Sequence, residues 1–202
     1  MPGTKQITRP TPYASSDDFR RVFDEDMNSL YLLSLLLTAD REKAEDCFVS
    51  GLEDAVEGNP VFKEWARSWA RRVIIINAVR AMNPRPPEEN GRSSSATVSS
   101  NDKTSPVQHV EIAAVLALEP FERFVYVMTV LERYSDQDCS LLLGCARRHV
   151  VAARTRAFGQ IGSAMASHPG QLPPATSEIP LSDEHRSSLL EMLVGQSLAT
   201  SA

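Results

Sequence analysis

The sequence lacks most of the residues and motifs that catalysis or disulfide bonding requires. Its three cysteines, at positions 47, 139 and 145, give neither an even disulfide set nor a Cys-x-x-Cys pair. It contains no Gly-rich phosphate loop, no nucleophile elbow and no His-Glu metal motif, and its four histidines are scattered along the chain. We therefore expect a protein that is not an enzyme and that binds no cofactor.

Apolar segments of membrane length are also missing. No apolar run reaches the ~18 residues that a membrane helix needs, and residues 1–16 lack the apolar core of a signal peptide. Unpaired thiols without an export signal are typical of a reducing compartment. We therefore expect a cytoplasmic protein that has no membrane partner.

Cys139, Cys145 and His149 are residue types that bind zinc, and the last two lie four positions apart on a predicted helix. No fourth ligand is nearby, and Cys139 falls on an apolar stripe. We therefore interpret the thiols as small buried side chains and expect no metal site.

Charged residues are unevenly distributed. The net charge of −5 argues against a general nucleic-acid coat protein. Between Asp17 and Asn59, four basic residues stand against twelve acidic ones, whereas between Val61 and Arg85 six basic residues stand against Glu64 alone. The acidic segment suits a basic protein partner and the basic segment suits phosphates, although solvated charged helices are common.

The segment from Leu118 to Ile161 has the layout of a helix-turn-helix, which points to DNA. Pro120 suits the first turn of a helix, and apolar residues follow it at helical spacing. Ser135 and Asp138 have the spacing of a capping box, so a short second helix is expected to begin there. Gly144 tolerates the left-handed conformation that ends many helices, and it predicts the turn.

The helix after this turn is basic, with no acidic residue between Gly144 and Ile161. Its cations are Arg147, Arg148, His149, Arg154 and Arg156. The apolar residues that can pack underneath are Val150, Ala153, Ala157, Phe158 and Ile161. We therefore predict an outer face that is wholly cationic, the alternative being an ordinary solvated surface helix.

Aromatic and basic residues alternate in a second predicted helix, Phe62 to Met82. Three bases lie four residues apart on one stripe: Lys63, Arg67 and Arg71. Such a helix can present cations to phosphates while its aromatic rings either pack in a core or stack on unpaired bases. We expect Trp69 to be a core residue, and both alternatives stay open for Trp65.

These patterns predict an all-α protein of two small helical domains joined by a flexible linker. Residues 1–16 are expected to be a disordered tail, and residues 17–82 a three-helix domain whose first helix covers Asp17–Thr38. Residues 83–106 are rich in Ser, Pro and Asn and too polar to build a core, so they predict the linker.

The rest of the chain predicts the second domain and an extension. Residues 107–166 are expected to form a four-helix domain that contains the helix-turn-helix. Residues 167–202 are expected to be a C-terminal extension with one amphipathic helix, capped by Ser182 and stopped by Gly195.

Several segments together resemble one family. In the first half they are the Leu-rich helix, Thr-x-Asp-Arg turn and Ala-Glu-Asp helix start within Leu30–Phe48, and the pattern formed by Phe62, Trp65, Ala70 and Arg71. In the second half they are Leu118, Pro120, Glu122, Arg123, Leu131, Glu132, Tyr134, Ser135, Leu143, Gly144, Val150, Arg156 and Ala157. Over most of its length the chain resembles a bacterial RNA polymerase sigma factor of the extracytoplasmic-function type.

Three departures indicate a divergent member. Cys47–Gly51 stand where the family has an acid- and Gln-containing stretch that meets the polymerase clamp. Ile76 stands where an Asp is usual, and Ala146 replaces the usual hydroxyl cap of the recognition helix, which costs about 1 kcal/mol of helix stability.

The resemblance implies a transcription initiation factor that binds RNA polymerase core and directs it to promoter DNA. The residues implied for the polymerase clamp are Glu42, Glu45, Asp46 and Glu53. Those implied for the downstream promoter element are Lys63, Arg67, Arg71, Arg72, Asn77 and Arg80. Those implied for the major groove of the upstream element are Arg147, Arg148, His149, Arg154 and Arg156.

A second interpretation belongs to another functional class. The chain could be a degenerate sigma-like interaction module that binds an anti-sigma or other regulator protein without contacting DNA. The altered clamp stretch and Ile76 favour this alternative, whereas the uninterrupted basic helix favours an initiation factor.

Overall fold

The computed structural model describes residues 12–87, residues 110–167 and Ser187, and it confirms an all-α protein. The helices are α1 Ser16–Glu25, α2 Met27–Thr38, α3 Arg41–Glu57, α4 Ala66–Met82, α5 Val110–Leu116, α6 Pro120–Tyr126, α7 Asp136–Leu142 and α8 Arg147–Ala166. A 3₁₀ turn, Lys63–Trp65, leads into α4, and a π turn, Val127–Leu131, continues α6. We refer to residues 12–87 as the first half and to residues 110–167 as the second half.

The prediction of one helix over Asp17–Thr38 is wrong, because the helix is interrupted at Asp26. The last turn of α1 carries acidic side chains, which are unfavourable at a helix C-terminus, whereas Asp26 lies before the N-terminus of α2, where a negative charge is favourable. Arg67 of α4 also reaches both Glu25 and Asp26 across the break. The first half therefore contains four α-helices, not three.

The predicted tail over residues 1–16 extends too far. Ala14 donates a backbone hydrogen bond to Val61 at 2.7 Å, and Lys63 donates one to Pro12 at 3.0 Å. Ser15 then caps α1 in a capping box with Asp18. The chain is therefore ordered by pairing and capping from residue 12 onward, and the tail prediction for residues 1–11 lies outside the described residues.

Helix α2 is buried on more than one face, because its sequence is apolar around most of its circumference. It packs against α3 and α4 in the first half, and also against α5, α6 and the π turn of the second half. Its buried polar side chains, Ser34 and Thr38, donate to carbonyl oxygens one turn back, at 3.1 and 2.9 Å. As a result, the buried residues of the two halves form one continuous cluster.

The second half is built around α6, in which Phe121 through Val125 are all buried. Helix α8 covers α6 with Val150, Ala153, Ala157 and Ile161, as the apolar pattern predicts. The π turn after α6 and the left-handed backbone of Arg133, at a φ of 58°, then direct the chain into α7.

Parts of the remaining predictions lie outside the described residues. The linker predicted over residues 83–106 is described only to residue 87, where it has no regular structure. The helix predicted between Ser182 and Gly195 is described only at Ser187, which is helical and exposed. None of the helices that the structure describes has the length and apolar character to cross a membrane.

Candidate nucleic-acid interface

Helices α7 and α8 form the predicted helix-turn-helix. The Ser135 hydroxyl accepts a hydrogen bond from the Asp138 backbone N–H at 3.1 Å and donates to its carboxylate at 2.6 Å, which fixes the start of α7. Gly144 has a φ of +60°, so the predicted left-handed turn is confirmed. The Cys145 N–H then donates to the Ser140 carbonyl at 3.0 Å, and α8 begins at Arg147.

Arg147 and Arg148 lie in the first turn of α8 and project into solvent. The Arg147 side chain is 67% exposed and 3.8 Å from Asp136, too far for a hydrogen bond. Arg148 donates to the imidazole of His149 at 3.3 Å, and His149 itself is half-buried. These three residues are therefore grouped at the N-terminal end of α8, as a basic patch would require.

The other two cations of α8 are held by carboxylates. Arg154 donates to Asp136 at 2.5 Å, and Arg156 donates to Glu122 at 2.5 Å. The Glu122 side chain is only 6% exposed, so the second pair lies at the edge of the core. Arg154 and Arg156 thus join α8 to α7 and α6, and the prediction that they contact DNA stays a prediction.

The prediction of a wholly cationic outer face on α8 is wrong. Phe158, expected to pack underneath, is 51% exposed and meets the edge of Tyr126 with ring centroids 5.7 Å apart. Val151 and Met165 are exposed on the same helix. The exposed cations of α8 that no carboxylate holds by a hydrogen bond therefore lie at its N-terminal end, where Arg147 is still within ion-pair distance of Asp136.

The candidate DNA residues of α4 also have partners within the chain. Lys63 lies 3.1 Å from Asp18, and Arg80 donates to Asp54 at 2.9 Å. Asn77 donates to the same Asp54 at 3.0 Å. The remaining contacts are Arg67 with Glu25 and Asp26, Arg71 with Glu132 and Ser29, and Arg72 with Tyr134.

Three aromatic rings cluster beside these cations. Tyr13 stacks on Phe62 with centroids 4.9 Å apart, and Phe62 meets Trp65 edge-on at 5.3 Å. All three are exposed, Trp65 to 57%. We call Tyr13, Phe62 and Trp65 the aromatic cluster; for Trp65 the structure favours the surface alternative, while Trp69 is half-buried against the core.

Glu42, Asp46 and Glu53 are exposed on α3, and Glu45 beside them is half-buried. Much of the stretch Cys47–Gly51 faces inward instead, because Cys47, Phe48 and Gly51 are buried. An added Cβ at Gly51 would lie 2.9 Å from the Ile74 side chain, so this glycine permits close contact between α3 and α4.

No protein-family model and no curated protein matches the chain.

Sequence reasoning missed a set of residues that joins the two halves. Arg123 is 4% exposed and donates to the carbonyl oxygens of Leu37 and Thr38 in α2, at 3.2 and 3.3 Å. Arg71 and Arg72 reach Glu132 and Tyr134. A detectable signal was the position of Arg123 between Phe121 and Phe124, in a helix of mostly apolar residues.

Metal chemistry receives no support from the side chains in the described ranges. No three or more His, Cys, Asp or Glu side chains come together there as a metal-binding group. The arrangement can bind an anion at the start of α8, stack planar rings on the aromatic cluster and attract a basic surface to α3.

Proposed function

We propose that the protein is a sigma-like transcription initiation factor that binds RNA polymerase core and brings it to specific promoters. The observation that carries this proposal is the start of α8, where Arg147 and Arg148 are exposed in the first turn of the second helix of a helix-turn-helix. In such motifs this turn enters the major groove and contacts base edges.

The missing cap at Ala146 supports anion binding at this place. Ala146 has no side chain that could accept a hydrogen bond from the first-turn N–H groups of α8. A helix N-terminus carries a partial positive charge and free N–H donors, so a phosphate can supply the missing acceptor. The departure from the family at this position therefore suits DNA binding once DNA is present.

The aromatic cluster supports a second contact, to unpaired bases. Trp65 presents most of its ring to solvent, and Lys63 and Arg67 lie beside it along the chain. Stacking on an aromatic ring contributes about 1–3 kcal/mol per unpaired base, and neighbouring cations attract the phosphates. We assign the opened strand of the downstream promoter element to this surface.

Polymerase binding is assigned to α3, with Glu42, Glu45, Asp46 and Glu53 as the contacting residues. The departure over Cys47–Gly51 changes mainly inward-facing positions, so it leaves this acidic surface in place. An acidic patch suits a basic partner surface and accelerates association with it. We further propose that residues 17–82 and 107–166 are separate domains joined by a flexible linker, and that the protein acts in the cytoplasm.

The decisive test replaces Arg147 and Arg148 together with Ala. Wild-type protein and core polymerase would first select promoters from a randomised DNA pool, and transcription from a selected promoter would then be measured. We expect the variant to lose promoter-specific transcription while it retains core polymerase. A matched control replaces Arg20 and Arg21, which are adjacent on α1 and pair with acids of the same helix. Equal transcription by the double variant and the control would contradict DNA recognition by α8.

A second test addresses the polymerase surface. Glu45→Lys with Asp46→Lys should weaken co-purification with core polymerase, with an effect that shrinks as salt rises. Asp24→Lys with Glu111→Lys makes the same charge change at two exposed positions on α1 and α5, outside the proposed surface. Equal retention of both double variants at low salt would exclude α3 from the interface.

One observation favours the interaction module as a second candidate function. Five of the six candidate DNA residues of α4 and its leading 3₁₀ turn already have hydrogen-bonding or ionic partners inside the chain, and the sixth, Arg72, interacts with Tyr134. A module that binds an anti-sigma or other regulator would need none of them to be released. Retention of such a regulator, together with no retention of core polymerase, would favour this candidate.

A further inference from the structure

The two halves meet through residues that the proposed function needs for DNA. Arg71 donates from Nε to Glu132 at 2.7 Å and from Nη2 to the second carboxylate oxygen, so the pair is bidentate. The Glu132 side chain is 8% exposed. Beside it, Arg72 interacts electrostatically with the Tyr134 side chain. A carboxylate and a phosphate bind a guanidinium in the same way, so Glu132 occupies Arg71 as a DNA phosphate would.

The backbone that carries Glu132 and Tyr134 is specialised. The Glu132 N–H donates to the Val127 carbonyl at 3.0 Å, five residues back, which closes the π turn. Arg133, between the two contact residues, has a left-handed backbone that costs a non-glycine residue energy. Because π turns and unfavourable backbone conformations occur often at functional sites, this segment is more than a passive connection.

Arg123 fixes the other side of the same contact. Its guanidinium donates to Leu118 at 3.1 Å within its own half, and to Leu37 and Thr38 at the C-terminal end of α2. Carbonyl oxygens at a helix C-terminus carry partial negative charge and can stabilise this buried cation. Burial still lowers the pKa of Arg123, because desolvation disfavours its charge. Opening the contact would return that charge to water, which offsets part of the lost hydrogen bonding.

The seam between the halves is open to solvent along part of its length. A cleft of about 280 Å³ lies there, between Leu32, Leu33 and Leu36 of α2 and Val130 and Leu131 of the π turn. Interfaces between domains of one chain resemble transient protein–protein interfaces, and an open cleft at the seam is compatible with such an interface.

We infer that this structure is a closed state in which Glu132 and Tyr134 cover Arg71 and Arg72, and that these two arginines contact DNA only after the halves separate. The inference rests on the proposed function, because it concerns the same DNA-contacting arginines. It adds a competitor within the chain, because Glu132 and Tyr134 of the second half occupy two cations of the first half that would otherwise bind DNA. DNA, or polymerase that holds the halves apart, would shift the population toward the open state.

The first experiment measures separation without any partner. Spin labels on Glu57→Cys in α3 and Ser163→Cys in α8, in a Cys145→Ser background, report the distance between the halves in the full chain. Both label positions are exposed. We expect one narrow distance distribution in the otherwise wild-type protein and longer, broader distributions for Glu132→Ala and Arg71→Glu. The exchanged pair, Arg71→Glu with Glu132→Arg, should restore the short distance.

The second experiment measures DNA binding by fluorescence anisotropy. The probe is a labelled mixed-sequence duplex with an unpaired bubble, so no promoter needs to be known. Glu132→Ala leaves every proposed DNA residue intact, and we expect it to bind this probe about fivefold or more tightly than wild type, the lower range of typical coupling between sites. Glu111→Ala, an exposed acid of α5, is the matched control and should bind as wild type does. Glu132→Gln serves if the Ala variant melts early.

The outcomes separate the inference from the proposed function. Unchanged distances in every Glu132 and Arg71 variant would overturn the closed state, whatever the protein binds. Longer distances with no gain in DNA affinity, while Arg71→Ala weakens binding, would show that DNA binds without opening and would also overturn it. If the variants open but no form binds DNA or core polymerase, the proposed function fails and the inference about DNA falls with it.

Discussion

Arg156 and Glu122 form an ion pair that joins α8 to α6. The Nε of Arg156 lies 2.5 Å from one carboxylate oxygen, and Gln160 donates to the other at 3.0 Å. The Glu122 carboxylate is almost fully buried, while Arg156 is 44% exposed. A residue that the sequence places among the DNA contacts therefore has a structural partner in the core of its own half.

Arg156→Ala should lower the free energy of unfolding by about 2 kcal/mol, because it leaves a buried carboxylate without its charged partner. The value is below the ~3–5 kcal/mol typical of buried pairs, since Arg156 is partly exposed to solvent. Urea denaturation followed by circular dichroism would measure it. Arg148→Ala, an exposed change on the same helix, should stay within about 0.5 kcal/mol of wild type. Equal stabilities of the two variants would contradict a structural role for the pair.

At most helical positions a Gly variant is less stable than an Ala variant. At Arg133 the left-handed backbone should reverse this order of stability. Arg133→Gly should be more stable than Arg133→Ala by about 1 kcal/mol, because only glycine adopts this conformation without steric cost. Ala152 provides the control, since it is exposed within α8 and Ala152→Gly should lower stability by about 1 kcal/mol. Thermal melting of the three variants tests the reversal, and an Ala variant at 133 as stable as the Gly variant would disprove it.

Low pH should weaken the ion pair between Asp18 of α1 and Lys63 of the 3₁₀ turn that leads into α4. Hydrogen bonds from the Ser15 backbone, the Ser15 hydroxyl and Lys63 lower the pKa of Asp18 well below its usual range. A carboxylate whose folded pKa is lowered contributes stability above its unfolded pKa of about 3.9, and this contribution is lost as the pH falls through the folded value.

Between about pH 4 and pH 2, wild type should therefore lose stability more steeply than Asp18→Asn, which cannot titrate. Asp17→Asn, at the neighbouring exposed position, should keep the wild-type slope. Urea midpoints measured across this range provide the comparison. Parallel slopes for wild type and Asp18→Asn would mean that Asp18 does not contribute to acid sensitivity.

The three thiols should differ in reactivity. Burial raises the pKa of Cys47 to about 11 and that of Cys139 to about 12, whereas Cys145 is only partly buried. Because the thiolate is the reactive form, iodoacetamide at mildly alkaline pH should modify Cys145 first. Mass spectrometry of digested samples gives the order, and protein unfolded in urea should lose the difference. Modification of Cys139 as fast as Cys145 in the folded protein would contradict it.

Local patterns predicted the helix-turn-helix well. Ser135, Asp138 and Gly144 act through neighbours only a few residues away, so spacing was enough to place the cap and the turn. The buried stripe of α8 followed from helical periodicity in the same way, except at Phe158. This ring rests on the side of Tyr126 near the surface, a contact that depends on how α8 crosses α6.

Partners distant in sequence could not be predicted. Arg71 and Glu132 are 61 residues apart, and no periodicity connects them. The density of basic residues along the sequence predicts a basic helix, but it does not show which acidic residues fold against that helix. Most of the candidate DNA residues are paired with such acids. Tyr13 was assigned to a tail because a single ring beside Pro and Ser gives no sign of the aromatic partner at Phe62.

The position of α2 between the halves affects how genetic data on this protein should be interpreted. Leu33 and Leu36 are buried in α2 and also line the cleft toward the second half. A substitution at either position therefore alters both the buried core and the cleft that faces the π turn. A loss-of-function screen that isolates changes at these leucines would thus identify the contact between the two halves. Such changes should not be counted as evidence for a binding surface in α2.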